Sequence, residues 1–184
     1  MRIPAAIALV ALLLAGCRQD SVAPSGTDIA DLPADQIVIG IQHTMTENGV
    51  KTAILFGDTA YLHESTERWD LVGVRSQFFD ETGRQSGHLT SETGEYNSQT
   101  GDFVARGNVV LVTQGEDGTR EIRTEELYYE LAEDRLWSEV PVVIIENGRT
   151  TRGNSFRYNA ATETWTIADA QTSGGSVSNQ ELRF

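Results

Sequence analysis

The stretch Leu89–Val112, LTSETGEYNSQTGDFVARGNVVLV, decides the fold, because a second version of it begins 33 residues later, at Ile122. The two versions align without a gap. The aligned pairs are Leu89 with Ile122, Glu92 with Glu125, Tyr96 with Tyr129, Phe103 with Leu136, and Val109 with Val142. Self-similarity at a period of about 20 to 50 residues indicates supersecondary units that stack on one another. The sequence therefore predicts one structural unit, repeated along the chain.

Two weaker copies flank this pair. Tyr158 and Trp165 are seven residues apart, which is also the separation of the tyrosine and the phenylalanine in the first stretch. Tyr61 and Trp69 suggest an earlier copy. Their separation is eight residues, so that copy must accommodate one extra residue.

Each unit is predicted to be a long β-hairpin. In the first stretch, Asn97–Asp102 is rich in turn-forming residues and separates Tyr96 from Phe103, which would face each other across the hairpin. Such an aromatic pair stabilises the ladder by about 0.2 to 1 kcal/mol. The second version leaves an alternative open, because Thr124–Trp137 contains good helix formers at helical spacing. Its gapless alignment with a segment that contains two glycines favours strand, turn and strand.

Turn signals between the alternating segments indicate an all-β fold, which is an antiparallel meander closed into a sandwich or an open roll, without a substantial helix. Alternation also predicts which residues face inward. The inner set is Phe103, Ala105, Gly107, Val109 and Leu111, then Leu136, Ser138, Val140, Val142 and Ile144, with Arg106 and Asn108 facing outward.

Composition excludes several classes of function. The net charge of −13 argues against nucleic-acid binding, which needs a basic footprint. The only cysteine is Cys17, so the folded region has neither a disulfide nor a thiolate metal site. His43, His63 and His88 lack the spacing of a helical metal motif, and we expect solvated or capping histidines and no bound metal.

The amino-terminal segment is typical of a bacterial lipoprotein. Residues 1–16 resemble a secretory signal peptide that is too short to span a membrane as a helix, and they end in a lipobox before Cys17. Residues 17–35 are predicted to be the lipidated cysteine and a flexible tether. A β-branched run starts just after Gln36, so residues 36–184 are predicted to form one domain.

The repeat and its flanking pieces resemble the LptC family of lipopolysaccharide export and the related OstA-like β-jellyroll domains. The pieces are HLTSETGEY, ARGNVVL, IRTEELYY, VPVVI and RGNSFRYNAATETWTI, in this order and spacing. Many members of the family use a transmembrane helix where this chain has a lipobox, and a lipid anchor can serve the same purpose. Arg18 follows the cysteine, whereas retention in the inner membrane of enteric bacteria generally relies on aspartate there.

The resemblance implies a twisted, V-shaped open jellyroll whose apolar interior carries the acyl chains of lipopolysaccharide. It implies neither a catalytic activity nor a cofactor. It also implies a periplasmic location, anchored to the inner membrane, with an amino-terminal edge docked on the periplasmic jellyroll of an ABC transporter and a carboxyl-terminal edge docked on a soluble bridge protein. The candidate lipid-binding residues are Phe103, Ala105, Val109, Leu111, Leu136, Val140, Val142, Ile144 and Trp165. Because the chain is acidic, we expect the lipid head groups to face solvent or divalent ions.

Two other functions fit parts of the sequence. A hydrolase on a β-sandwich would use carboxylates such as Glu92 and Glu125, but these are repeat-equivalent residues and the structural interpretation is favoured. A carbohydrate-binding or adhesive surface lipoprotein would need clustered exposed aromatic residues, whereas Tyr96, Tyr129 and Trp165 occupy repeated hairpin positions that favour a core.

Overall fold

A computed structural model describes residues 34–47, 49–115, 118–159 and 164–174 of the chain. These residues form strands, their turns and one short 3-10 turn, Glu64–Thr66, and none of them lies in an α-helix. The all-β prediction is confirmed. The strands are β1 Gln36–Glu47, β2 Val50–His63, β3 Arg68–Phe79, β4 Gln85–Asn97, β5 Phe103–Gly115, β6 Gly118–Glu130, β7 Arg135–Ser138, β8 Val142–Glu146, β9 Arg149–Gly153, β10 Ser155–Asn159, β11 Thr164–Ala168 and β12 Gln171–Gly174.

The first six strands form an antiparallel meander in which each strand pairs with the next. The sheet then forks at β6. Tyr128–Glu130 pair with β7, which continues to β10 and β11, whereas Arg120–Thr124 pair with β8, which continues to β9 and β12. The short strands after β6 therefore alternate between the branches: β7, β10 and β11 belong to one, and β8, β9 and β12 belong to the other.

The fork is possible because the long strands change direction in their middle. Along β3, both Leu71 and Val74 are buried although they are three residues apart, so the alternation of faces changes phase between them. The same change occurs between Thr124 and Leu127 of β6. We call the row where it happens the corner line. Its members are Gly40, Asp58, Gly73, Glu92, Gly107 and Glu125.

Glycine is required at the corner line by both conformation and space. Gly107 has a φ of 76°, which side chains disfavour, and it lies in a register shift between Arg106 and Val109. A Cβ on Gly107 would lie 2.6 Å from Oε2 of Glu92. In β3, a Cβ on Gly73 would come within 2.2 Å of Oδ2 of Asp58. The neighbouring carboxylate therefore occupies the space that the missing side chain leaves.

The corner line divides the sheet into two walls that pack against each other. The tyrosine wall comprises β7, β10, β11 and residues 36–39, 59–63, 68–72, 93–97, 103–106 and 126–130. The isoleucine wall comprises β8, β9, β12 and residues 41–47, 50–57, 74–79, 85–91, 109–115 and 118–124. His43 of the isoleucine wall packs on Trp69 of the tyrosine wall, with 5.0 Å between the ring centroids. The core between the walls includes Phe156 and Ile122, both 0% exposed.

The repeat prediction is confirmed with one correction. Tyr96 pairs with Phe103, and Tyr158 pairs with Trp165, each across a hairpin. Thr124–Trp137 forms strand, turn and strand, as the alignment of the repeats predicts. In the earliest copy, however, Trp69 pairs with Leu62 and not with Tyr61, so the separation is seven residues there as well.

The predicted inner set needs a smaller revision. Gly107 and Asn108 form the corner of β5, so the alternation from Phe103 to Leu111 is interrupted there. In the second version the same place is a complete break, since Val140 and Pro141 lie between β7 and β8. Pro141 thus precedes a strand, where its missing amide hydrogen costs no ladder hydrogen bond. Both versions therefore turn their corner at equivalent positions.

We predict that Gly107→Ala lowers the free energy of unfolding by at least about 1 to 2 kcal/mol, because alanine resists a positive φ and its methyl group would meet Glu92. Gly83→Ala is the matched control, since Gly83 has a φ of 79° and nothing within 4 Å. Urea denaturation measures the free energy of unfolding of both variants, and Gly107→Ala should lose more of it than Gly83→Ala. In a Glu92→Ala background the cost of Gly107→Ala should fall towards that of Gly83→Ala, and equal costs in every background would contradict the corner contact.

Candidate functional site

The space between the two walls is the candidate site, because it gathers the apolar side chains of every long strand. Of the residues that the sequence predicts to face inward, five lie in the buried core: Ala105, Val109, Leu111, Val142 and Ile144. Phe103, Leu136 and Trp165 are partly buried and pack against that core. Val140 lies in the connection between β7 and β8, outside the residues that form the core or pack on it.

A row of aromatic pairs lines the margin of this interior beside the hairpin turns, far from the corner line. Tyr158 stacks on Trp165 with 4.2 Å between the ring centroids, and Tyr96 lies directly across from Phe103. Tyr129 donates a hydrogen bond to Oδ1 of Asp134 at 3.1 Å, and burial, followed by the charge of that carboxylate, raises the pKa of Tyr129. The aromatic rings at the margin thus face the apolar core, whereas the hydroxyl of Tyr129 meets a polar group beside the hairpin turn.

The expectation of solvated or capping histidines is wrong for His43. Its ring lies 5.0 Å from that of Trp69 and 5.5 Å from that of Tyr96, and burial lowers the pKa of His43. The alternation of Ile41, His43 and Met45 was the signal that could have placed it inside. His63 differs, since its Nε2 lies 2.8 Å from Asp70. Within the described parts of the chain, no group of three potential ligands could hold a metal ion.

The outer face of the tyrosine wall is polar. The guanidinium of Arg106 bridges Glu95 and Glu126, so Arg106 faces outward as predicted. The hydroxyl of Tyr128 donates to Glu126 at 2.7 Å, and this bond, helped by Arg106, lowers the pKa of Glu126. Each charge here has an opposite partner on a neighbouring strand, which suits a solvated surface.

The carboxylates considered for catalysis serve the corner instead. Glu92 accepts a hydrogen bond from the side chain of Asn108, and Glu125 accepts one from the backbone amide of Asn108 at 3.4 Å. Both therefore fasten the bend of β5 on the outer side of the sheet. No helix within the described ranges is long and apolar enough to cross a membrane.

Unpaired strand edges form the second feature of the site. Among the described strands, β1 pairs only with β2, so its other edge is free over twelve residues. Two large apolar side chains are exposed on β1: Ile37 is 44% and Ile39 is 83% exposed. At the far end of the sheet, β11 and β12 also pair on one side only within the described part of the chain. Such edges are templates for pairing with a strand of another protein.

The arrangement agrees with comparisons to known proteins. Residues 5–173 match the protein family described as "Lipopolysaccharide-assembly, LptC-related". The chain belongs to this family. No curated protein matches the sequence. A crystal structure of LptH from Pseudomonas aeruginosa, described as the LptA homologous periplasmic component of the conserved lipopolysaccharide transport device, matches with a TM-score of 0.55 at 12% identity and covers 67% of this chain and 95% of its own.

Family membership and the likeness to LptH answer separate questions. At 12% identity the likeness shows the fold, an open antiparallel jellyroll, as predicted from the sequence. The family assigns the chain to the periplasmic, non-catalytic components of lipopolysaccharide transport, which confirms that the protein is not an enzyme.

We predict that stability falls on acidification because of His43. Its pKa is lowered in the folded protein, so below the ordinary value of 6.5 the unfolded chain binds a proton that the folded chain resists. As the pH falls from about 7 to 5, this one histidine should lower the free energy of unfolding by no more than about 1.4 kcal/mol per pH unit. Urea denaturation of His43→Gln should show a flatter pH profile than the exposed control His88→Gln. Parallel profiles would show that the half-buried ring of His43 is not responsible.

Proposed function

We propose that the protein is a non-catalytic carrier that takes lipopolysaccharide from an inner-membrane ABC transporter and passes it to a soluble periplasmic bridge protein. One observation carries the proposal. The bent sheet encloses a continuous apolar interior between two walls, and its described edges are left open at both ends. An apolar interior shields acyl chains at about 0.8 kcal/mol per buried methylene and requires no reaction.

Acyl chains would lie among the side chains that the sequence places inside. These are Phe103, Ala105, Val109, Leu111, Leu136, Val142, Ile144 and Trp165, with Val140 at the corner. Without lipid, the innermost of them are packed, and Val109 and Val142 are each 1% exposed. Because protein interiors have few voids, the walls must separate to admit an acyl chain. The hairpin margin is the side that can open, since the corner line joins the walls on the other.

The free edges suit the two hand-over steps. The edge of β1 would pair with the periplasmic jellyroll of the transporter, and its exposed Ile37 and Ile39 would be covered there. The edges of β11 and β12 would pair with the bridge protein. Continuous pairing across both junctions would align the interior of this domain with those of its neighbours, so that a lipid need not enter water.

The membrane attachment proposed from the sequence lies outside the described residues. Lipidation of Cys17, after removal of residues 1–16, would tether the domain through the residues that follow. The tether predicted over residues 17–35 is two residues too long, because Ala34 is buried and the amide of Asp35 donates a hydrogen bond to the carbonyl of Leu62. One acyl chain binds a membrane only marginally, whereas two or more anchor a protein stably. We propose the inner membrane as the site of the anchor, since the carrier must meet the transporter there.

The lipid path is tested by photo-cross-linking in cells from Phe103, Val142 and Trp165, with Arg106 and Glu139 as outward-facing controls. Glu139 pairs with Arg157 on the exposed surface, so both controls report the outside of the tyrosine wall. We expect lipopolysaccharide adducts from the inner positions and none from the controls. Adducts from the outer positions alone, or from no position of a folded and anchored protein, would contradict the lipid path.

We predict that Ile39→Lys reduces co-purification of the transporter at least about 10-fold, because a lysine on a free edge strand opposes pairing. Its free energy of unfolding should change by less than about 0.5 kcal/mol, since Ile39 is 83% exposed. Val72→Lys is the matched control: Val72 is 44% exposed but lies on β3, which has neighbours on both sides. Equal co-purification with both variants would rule out docking through β1.

A further inference from the structure

A basic cluster lies on the inner face of the isoleucine wall, at its hairpin margin. Arg120 of β6 pairs in register with Glu146 of β8, and Glu146 pairs in register with Arg149 of β9. Residues directly opposite each other in an antiparallel sheet share a face. Two residues further along the same strands, Ile122 and Ile144 are buried in the core. The three charged side chains therefore stand on the face that looks into the interior.

Arg120 reaches across to the other wall. Its guanidinium carbon lies 4.3 Å from the ring centroid of Trp165, which packs against the core from the tyrosine wall. Its side chain is only 26% exposed and forms an ion pair with Glu146, which is 35% exposed. The cation is thus held beside the apolar interior by one carboxylate and one aromatic ring.

Arg149 gives the cluster an excess of positive charge. Within the described ranges no carboxylate forms an ion pair with Arg149, and its side chain is exposed at the end of the hairpin. Among the described residues of the cluster, two guanidinium groups therefore flank a single carboxylate, in a protein whose net charge is −13. On the outer faces, Arg123 is paired with Glu121 and Arg157 with Glu139. Arg152 of β9, like Arg149, forms no ion pair within the described ranges, but it stands on the outer face, away from the interior. An excess cation at the mouth of an apolar interior suits an amphiphile with an anionic head.

We propose that Arg120 and Arg149 bind a phosphate group of the lipid whose acyl chains occupy the interior, and that this phosphate displaces Glu146 from Arg120. Guanidinium groups bind phosphate through two parallel hydrogen bonds, and a phosphate between two of them satisfies both at once. The inference rests on the proposed lipid-carrier function and revises one expectation from the sequence. Head groups are predicted to face solvent or divalent ions, and here one phosphate meets the protein directly.

Glu146 has a definite part in this site. It neutralises Arg120 while no lipid is bound, and it is released when a phosphate with a larger charge takes its place. Removing its charge should therefore strengthen lipid binding, whereas removing either guanidinium should weaken it. A purely structural ion pair would behave differently, because loss of either partner would then act in the same direction.

The test measures equilibrium binding of fluorescently labelled lipid A to the full-length chain in detergent. Lipid A with both phosphates is compared with lipid A from which they have been removed. We expect Arg120→Gln and Arg149→Gln each to weaken binding of the phosphorylated lipid roughly 10-fold and Glu146→Gln to strengthen it several-fold, with no effect on the dephosphorylated lipid. Arg123→Gln and Arg152→Gln are the matched controls, because each lies on the same strand as its counterpart but an odd number of residues away from it, and therefore on the outer face.

Three results would overturn the site. If the control variants and the inner variants bind phosphorylated lipid A equally well, the inner arginines hold no phosphate. If inorganic phosphate, at the same concentration as the lipid, displaces the lipid from the unaltered protein, the cluster is a site for free phosphate and not for a lipid phosphate. If the unaltered protein binds neither lipid, the lipid-carrier function itself is contradicted and the site falls with it.

Discussion

The bend of the long strands at the corner line is the constraint on which the rest of the structure depends. Strands β1 to β6 have 12 to 14 residues each, about twice the usual length, and a flat sheet of them would leave one large apolar face uncovered. Bending lets the sheet cover itself. Gly73 and Gly107 allow the bend, and carboxylates of Asp58 and Glu92 fill the space beside them. The interior is therefore a consequence of local backbone geometry.

The same bend leaves the free strand edges that the proposed function assigns to partners. A sheet that folds onto itself without closing has free edges, and the exposed side chains of Ile37 and Ile39 lie on one of them. Soluble proteins usually protect such edges, because exposed backbone groups invite pairing with other chains. Retaining a long free edge is consistent with the proposed function, in which neighbouring jellyrolls would cover the edges and continue the apolar path.

Most of the architecture could be predicted because one period governs the chain. The hairpin pairs Tyr96 with Phe103 and Tyr158 with Trp165 followed from spacing, and eight of the nine inner candidates lie in or against the core. Spacing cannot show where a strand bends, so the corner at Gly107 and the position of Val140 were missed. It also cannot show which residues meet across the walls. The contact of Arg120 with Trp165 joins residues 45 positions apart and depends on the whole bend.

The central claim is that the walls separate around a lipid while the corner line holds them together. Pulsed electron paramagnetic resonance measures this separation directly, between spin labels at Thr100, in the β4–β5 turn at the margin of the tyrosine wall, and at Glu81, in the β3–β4 turn at the margin of the isoleucine wall. A label pair at Thr100 and Ala132, both at turns of the tyrosine wall, is the internal reference. Binding of lipopolysaccharide should lengthen the first distance and leave the second unchanged. An unchanged first distance in protein shown to carry the lipid would contradict the claim.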